Sequence, residues 1–153
     1  NTKVMLGELK ESEIDQLLKQ QVIGRIGCYA DGSIYIVPVN YVYDGNFIYC
    51  HSAIGKKIEM MRKNPEVCFE VEDIHSIFRW KSVIVWGSFE EITDVEEKQQ
   101  AMQGLIHRIM PLSYKPDDHP SHGIAEKDSD IGTQVELIIY RIKVEKKTGR
   151  FEQ

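Results

Sequence analysis

The sequence predicts a small antiparallel β-barrel with flanking α-helices, formed by a single domain over residues 1–153. Segments rich in β-branched and aromatic residues, which favour strands, dominate the chain. Most of them are joined by turns of hairpin length, such as Asp44-Gly45, and this favours antiparallel strands over a doubly wound parallel sheet. The sequence also lacks the glycine-rich fingerprint of dinucleotide folds and the Walker phosphate loop.

The periodicity of apolar residues predicts the elements in chain order. Helices are expected at 11–21, at a short segment that ends at Asn64-Pro65, and from Thr93 to about Met110. Strands are expected at 22–29, 34–43, 47–52, 66–72, 82–92 and 134–144. Residues 75–81 are expected to form a loop, 111–133 the least regular part, and 146–153 a polar tail.

Composition limits the classes of function. A net charge of −5 argues against general nucleic-acid binding. No apolar run approaches the length of a membrane span, and no signal peptide is visible, so we expect a cytoplasmic protein with no membrane partner. Cys28, Cys50 and Cys68 each lie in a strand-like segment without zinc-ligand spacing, which predicts buried, reduced thiols.

The stretch from Ile34 to Asn64 carries the first candidate site. It is predicted to form a hairpin, a tight strand-to-helix turn and a short helix. Ser52, Lys56 and Lys57 lie at the start of that helix, where free backbone N–H groups and the helix dipole favour an anion. The sequence therefore predicts a phosphate site beside a half-buried strand surface.

Two residues on the neighbouring strands have alternative interpretations. Arg25 either points to solvent, as an isolated strand arginine usually does, or faces the anion site. Pro38 cannot donate to a sheet ladder, so its strand lies at an edge, is bulged, or is open to a ligand. Asn40 shares the face of Pro38, which would suit a flat ligand with a polar edge.

Three further features are ambiguous. Phe78, Arg79 and Trp80 in the 75–81 loop either form an interface or fold back on the core. Gly87 interrupts a long strand, which predicts a bulge or a close approach to the backbone. His119 and His122 lie near two aspartates, but in so irregular a segment no metal site is predicted.

Several segments, taken in order, resemble a known family. They are GRIG (24–27), DG (31–32), IVPVNY (36–41), IYCHSA-x-GKK (48–57), NPEVCFEV (64–71) and VIVWGSFEEI (83–92). Together they resemble the flavin-binding split barrels that are similar to pyridoxamine 5'-phosphate oxidase, and within these the 5-nitroimidazole resistance branch.

The resemblance implies a split-barrel homodimer with FMN, or FAD, bound at the subunit interface. It implies that Ser52, Lys56 and Lys57, with Arg25, hold the flavin phosphate. The ring would lie along the strand segment Val37, Pro38, Val39 and Asn40, with Cys50 and His51 near its edge. Trp86, or residues 78–80 of the other subunit, would close the pocket.

The resemblance also implies an activity. His51 matches the active-site histidine of the nitroimidazole-resistance branch, and the leading hypothesis is a reductase that passes electrons from NAD(P)H to a small electron-poor acceptor. The alternative is a flavin-binding or haem-handling protein without turnover. Vitamin B6 oxidation is not expected, because the Arg-x-His of a true pyridoxamine phosphate oxidase is replaced by Lys147-Thr148-Gly149-Arg150-Phe151.

Overall fold

The computed structural model describes residues 5–112 and 136–153 and shows a curved antiparallel sheet with helices packed against it. Its strands are β1 (Leu6–Glu8), β2 (Ile23–Ala30), β3 (Ser33–Asn40), β4 (Val42–Tyr43), β5 (Phe47–Ala53), β6 (Glu66–Ser76), β7 (Arg79–Glu91) and β8 (Leu137–Glu152). Its helices are α1 (Glu11–Gln20), α2 (Lys56–Lys63) and α3 (Val95–Ile109), followed by a 3-10 turn at Met110–Leu112. The histidine pair of the 111–133 segment lies outside the described residues.

The strands follow the order β3-β2-β6-β7-β8-β5-β4, and β1 pairs with the end of β8. All the pairings are antiparallel. Since β3 and β4 are the two ends of this order, the barrel is open between them. The predicted mainly-β, antiparallel split barrel with flanking helices is therefore confirmed.

The barrel interior holds the main core. Ile26, Phe69 and Val85 come from three adjacent strands and are fully buried. Tyr41 meets Phe69 edge-on, with ring centroids 4.9 Å apart, and its hydroxyl donates to the Leu18 carbonyl of α1 at 2.7 Å. These contacts hold α1 against the barrel. A second apolar cluster lies beneath α3, where Leu105 packs with β8.

The predicted hairpin of 34–43 with 47–52 is only partly correct. Tyr41 leaves the strand because its side chain is buried and its backbone N–H donates to Val22 O. As a result β3 pairs with β2, and only the short β4 pairs with β5. The edge position predicted from Pro38 is confirmed, since β3 ends the strand order.

The predicted loop at 75–81 and the predicted tail at 146–153 are wrong. β6 and β7 continue to a two-residue turn, with Ile74 opposite Trp80. The Trp80 indole N–H donates to the Glu152 carboxylate at 2.8 Å. The tail forms the end of β8 because it pairs with both β7 and β1. The pairings of β8 join residues far apart in sequence, which local polarity does not reveal.

Gly87 was predicted to mark a bulge or a close approach to the backbone, and it lies at an irregularity in β7. The register with β8 shifts between Trp86 and Gly87. A Cβ on Gly87 would clash with the backbone oxygen of Lys143. The glycine therefore permits a close approach of the two strands.

We expect Gly87→Ala to lower the free energy of unfolding by about 2–4 kcal/mol, because the added methyl group meets backbone that cannot move cheaply. Urea unfolding followed by circular dichroism measures this. Gly104→Ala on α3 is the matched control, since a Cβ there meets open space and alanine favours a helix by about 1 kcal/mol. An unchanged urea midpoint for Gly87→Ala would contradict the assignment.

Candidate functional site

A cavity lies where the end of β3 approaches β5 and α2. Its volume is about 250 Å³. It combines apolar strand residues with an amide, an imidazole and an ammonium group. The lining residues are Ile23, Pro38, Val39, Asn40, His51 and Lys57. We call this the β3 cavity.

The hairpin of β2 and β3 builds one wall of the β3 cavity. Asp31 and Gly32 adopt positive φ angles of 53° and 76°, as a tight two-residue turn requires. The turn fixes the register that places Ile23 opposite Asn40. Sequence reasoning missed Ile23, although counting back from Asp31-Gly32 along two paired strands would have found it.

Cys50 and His51, both predicted near the edge of the flavin ring, are successive residues of β5. Successive residues of a strand point to opposite faces, and only His51 lines the cavity. Cys50 instead lies in the barrel core, opposite Tyr140 on β8. Burial raises the pKa of the Cys50 thiol to about 12, so the thiol stays protonated at neutral pH. His51 is itself only 5% exposed.

The lysines at the start of α2 occupy different environments. Lys57 is half-buried in the cavity wall, and burial lowers its pKa from the usual value of 10.5. The ammonium of Lys56 is exposed and lies 4.8 Å from the centroid of the Tyr35 ring. Within residues 5–112 and 136–153, neither lysine forms an ion pair with a carboxylate.

The first turn of α2 adds backbone N–H donors to the ammonium groups of Lys56 and Lys57. Gly55 is the N-cap residue, and no side chain caps the helix there. The first-turn N–H groups are therefore available to an anion. Ser52, predicted to join this site, is buried, and its hydroxyl donates to the Ala53 carbonyl at 2.6 Å. The structure thus brings the helix start and Lys57 together but leaves Ser52 in the strand.

Arg25 and Trp86 do not line the β3 cavity. Both line a larger groove of about 570 Å³ on the outer face of β2, β3, β6 and β7. Arg25 Nη1 lies 2.9 Å from the Glu72 carboxylate and 3.7 Å from that of Glu70. Burial raises the pKa of Glu70, and Ser82 donates a hydrogen bond to it.

This outer groove is mainly apolar. Ile34 and Ile36 are 72% and 67% exposed at its edge. Cys68, predicted to be buried, is only half-buried and faces the same groove. Val37, predicted along the ring, packs against the main core from the inner side of β3. Of the predicted strand segment, Pro38, Val39 and Asn40 therefore reach the β3 cavity.

The part of the chain that the structure describes contains neither a metal-binding cluster nor a membrane-spanning helix. No group of three or more His, Cys, Asp or Glu side chains there could hold a metal ion. No helix there is long and apolar enough to cross a membrane. The cytoplasmic location stays a prediction.

The fold and the β3 cavity define a split-barrel protein with a small-molecule cavity at the open edge of the sheet. The sequence profile of the pyridoxamine 5'-phosphate oxidase family matches residues 10–151. An uncharacterized protein of Rhizobium meliloti (strain 1021) is 32% identical over 128 residues, which is 84% of this chain and 83% of that protein. The chain therefore belongs to the pyridoxamine 5'-phosphate oxidase family.

Solved structures agree with this assignment. An FAD-binding protein of Mesorhizobium loti superposes with a TM-score of 0.78 at 27% identity, and the match covers 99% of both chains. A candidate 5-nitroimidazole antibiotic resistance protein of Bacteroides thetaiotaomicron has the same fold, with a TM-score of 0.76 at 23% identity over 99% of this chain and 90% of its own. The resemblance drawn from the sequence motifs is thus confirmed at the level of the family.

Proposed function

We propose that this chain is a flavin-dependent reductase that binds FMN, with FAD as the alternative, in the β3 cavity. The observation that carries the proposal is the half-buried Lys57, which lies beside a strand edge and a helix start that no side chain caps. A half-buried ammonium to which the described residues offer no carboxylate is costly, and an anion bound there would offset that cost. Membership of the family and the FAD-binding relative support a flavin as the source of that anion.

The residues of the β3 cavity fit the rest of a flavin. Pro38 offers an apolar contact to a flat ring, and the Asn40 amide on the same strand face offers both a donor and an acceptor to the polar edge of that ring. Lys57 and the first-turn N–H groups of α2 would hold the phosphate. Lys56 would add its charge from the rim of the site.

The chemistry would follow from the cofactor and His51 together. A bound flavin supplies two-electron transfer between a nicotinamide donor and an acceptor. Reduction of an aromatic nitro group to a nitroso group consumes one NAD(P)H, which supplies a hydride, and one further proton overall, and it releases water. His51 lies in the cavity wall, from which its imidazole could donate a proton to such an acceptor. A nitroimidazole is the acceptor that the family resemblance implies.

The proposal includes a homodimer, because the β3 cavity is open and the outer groove exposes apolar surface. Large exposed apolar patches mark interaction sites. The groove carries both signs of charge at its edge, with Arg25 beside Glu70 and Glu72, so two copies could pair through the same face.

Titration with FMN, followed by quenching of flavin fluorescence, tests binding. Anaerobic addition of NADH or NADPH and then of a nitroimidazole tests turnover. The account expects FMN to bind and to be reduced by a nicotinamide donor. Binding without any reduction would leave the non-catalytic alternative, and absence of binding to either flavin would exclude the proposal.

We expect the affinity for FMN to fall as the pH rises through the pKa of Lys57, which lies below 10.5 in the free protein. The reason is that only the ammonium form attracts the phosphate dianion. Riboflavin has no phosphate, so its affinity should stay constant over the same alkaline range. Equal pH profiles for the two ligands would contradict a phosphate role for Lys57.

A further inference from the structure

A second cavity lies between α3 and the barrel strands β4, β5 and β8. Its volume is about 320 Å³, which falls in the range of roughly 300–1,000 Å³ found for small-molecule pockets. It shares no lining residue with the β3 cavity. We call it the α3 cavity, and the residues of its wall that matter here are Asp44, Tyr49, Glu97, Gly104 and Arg141.

One wall of the α3 cavity is a single face of the helix. Glu97, Ala101 and Gly104 are spaced three or four residues apart, so they lie above one another on that face. Glycine in a helix interior lowers the stability of the helix relative to alanine. A Cβ on Gly104 would meet no atom within 4 Å, so packing among the described residues does not require glycine there. Its effect is to leave space in the cavity.

The floor of the α3 cavity is apolar. Ile92 is buried, and Val42 and Tyr49 are partly buried beside it in the second apolar cluster beneath α3. An apolar group bound in the cavity would extend this cluster and leave water, which favours binding. The floor therefore suits the hydrocarbon part of a ligand.

Two carboxylates line the cavity from different elements. Asp44 lies in the turn between β4 and β5, and its Oδ1 accepts hydrogen bonds from the backbone N–H groups of Asn46 at 2.9 Å and Phe47 at 2.8 Å. These bonds fix the orientation of the carboxylate. The second carboxylate belongs to Glu97 on the α3 wall. A ligand in the cavity would thus meet negative charge from both the barrel and the helix.

The protein does not neutralise these two charges. Among the described residues, no basic side chain forms an ion pair with Asp44 or with Glu97. Arg141 also lines the cavity, but its Nε lies 2.8 Å from the Glu90 carboxylate, which balances its charge. The α3 cavity therefore carries an excess of negative charge over an apolar floor.

We propose that the α3 cavity binds a small organic cation, a protonated amine or an amidinium group carried on an apolar body. Asp44 and Glu97 would accept charge-assisted hydrogen bonds from the cationic group. The apolar body would lie on the floor and fill the space beside Gly104. This inference goes beyond the proposed function and does not depend on it, because the two cavities share no lining residue.

A matched pair of probes tests the class of ligand. Benzamidinium and benzamide have nearly the same size and shape, but only benzamidinium carries a charge. By isothermal titration calorimetry we expect benzamidinium to bind at least about tenfold more tightly, since hydrogen bonds to charged groups are stronger than those between neutral groups. Equal affinities, or no binding of benzamidinium, would overturn the inference.

The double variant Asp44→Asn/Glu97→Gln tests the two carboxylates. Asparagine keeps an Oδ1 acceptor for the turn, so the backbone should be unchanged. We expect the affinity for benzamidinium to fall about tenfold or more, towards that for benzamide. Glu8→Gln/Glu96→Gln alters the net charge equally at exposed residues outside the cavity and should bind as the wild type does. An unchanged affinity in the cavity variant, or an equal loss in the control, would exclude the carboxylate role.

Gly104→Leu tests the position of the ligand. The leucine side chain would occupy the free space, and thermal unfolding should show that the variant remains folded. We expect it to lose benzamidinium binding and to keep wild-type affinity for FMN. Binding of benzamidinium equal to that of the wild type would place the ligand elsewhere and refute the inference.

Competition with FMN separates this inference from the proposed function. Displacement of benzamidinium by FMN would assign the cation to the β3 cavity, so the inference would fail while the flavin site stood. Binding of benzamidinium that Gly104→Leu abolishes, in a protein that takes up neither FMN nor FAD, would support the α3 cavity and contradict the proposed function alone.

Discussion

Replacing Lys56 and Lys57 together by glutamine is expected to weaken FMN binding by about a hundredfold or more while changing riboflavin binding little. The difference between the two ligands is the phosphate. Each hydrogen bond to a charged group is worth about 1.5–3 kcal/mol, so the loss of the half-buried Lys57 donor, with a smaller share from the exposed Lys56, corresponds to about two orders of magnitude. Fluorescence titration of both ligands measures this difference directly.

The single variants refine this expectation. Lys57 lines the β3 cavity and is half-buried, whereas Lys56 is exposed and lies over the Tyr35 ring. We therefore expect Lys57→Gln to account for most of the loss. An exposed cation interacts weakly with an anion because solvent screens it.

The matched control lies on the same helix. Arg62→Gln/Lys63→Gln changes the net charge equally, but both side chains are exposed and form ion pairs with Glu91 and Asp31. FMN should bind this control with wild-type affinity at moderate salt. A similar loss in the control, or an equal loss for riboflavin in the cavity variant, would show that the lysines do not hold the phosphate.

Replacing His51 by alanine is expected to lower the rate of acceptor reduction about a hundredfold or more while FMN remains bound. General acids contribute about 10²–10⁴ to a rate, and the imidazole lies in the wall of the β3 cavity. Stopped-flow absorbance under anaerobic conditions separates the step with NAD(P)H from the step with the acceptor. We expect only the second step to slow.

Two controls accompany the His51 variant. His107→Ala changes an exposed histidine on α3 and should leave both steps unchanged. Because His51 is buried, thermal unfolding of His51→Ala must also be compared with that of the wild type. A folded His51→Ala protein with FMN bound and a wild-type rate of acceptor reduction would refute the proton-donor role.

Local signals in the sequence were sufficient for much of the site. Asp31-Gly32 has the chemistry of a tight turn and determines which residues of β2 and β3 face each other. Pro38 indicated the open edge. The opposite faces of Cys50 and His51 also follow from strand alternation alone, so the sequence was enough to predict that only one of the two lines the β3 cavity.

The ion-pair partners of Arg25 could not be predicted from the sequence. Its ion pairs with Glu70 and Glu72 depend on the register between β2 and β6, which are separated by four other elements. The final strand has the same difficulty, because residues 146–152 become a strand only through pairing with β7 and β1. Polar residues at an exposed sheet edge look like a tail until their partners are known.

Whether this split barrel carries a flavin is shown by the visible absorbance spectrum of the purified protein. Mass spectrometry of whatever denaturation releases identifies the ligand. The account predicts flavin absorbance bands, FMN or FAD in the released fraction, and about one flavin per chain of a dimer. A Soret band would point to haem instead, and a colourless protein that takes up neither FMN nor FAD would contradict the proposed function.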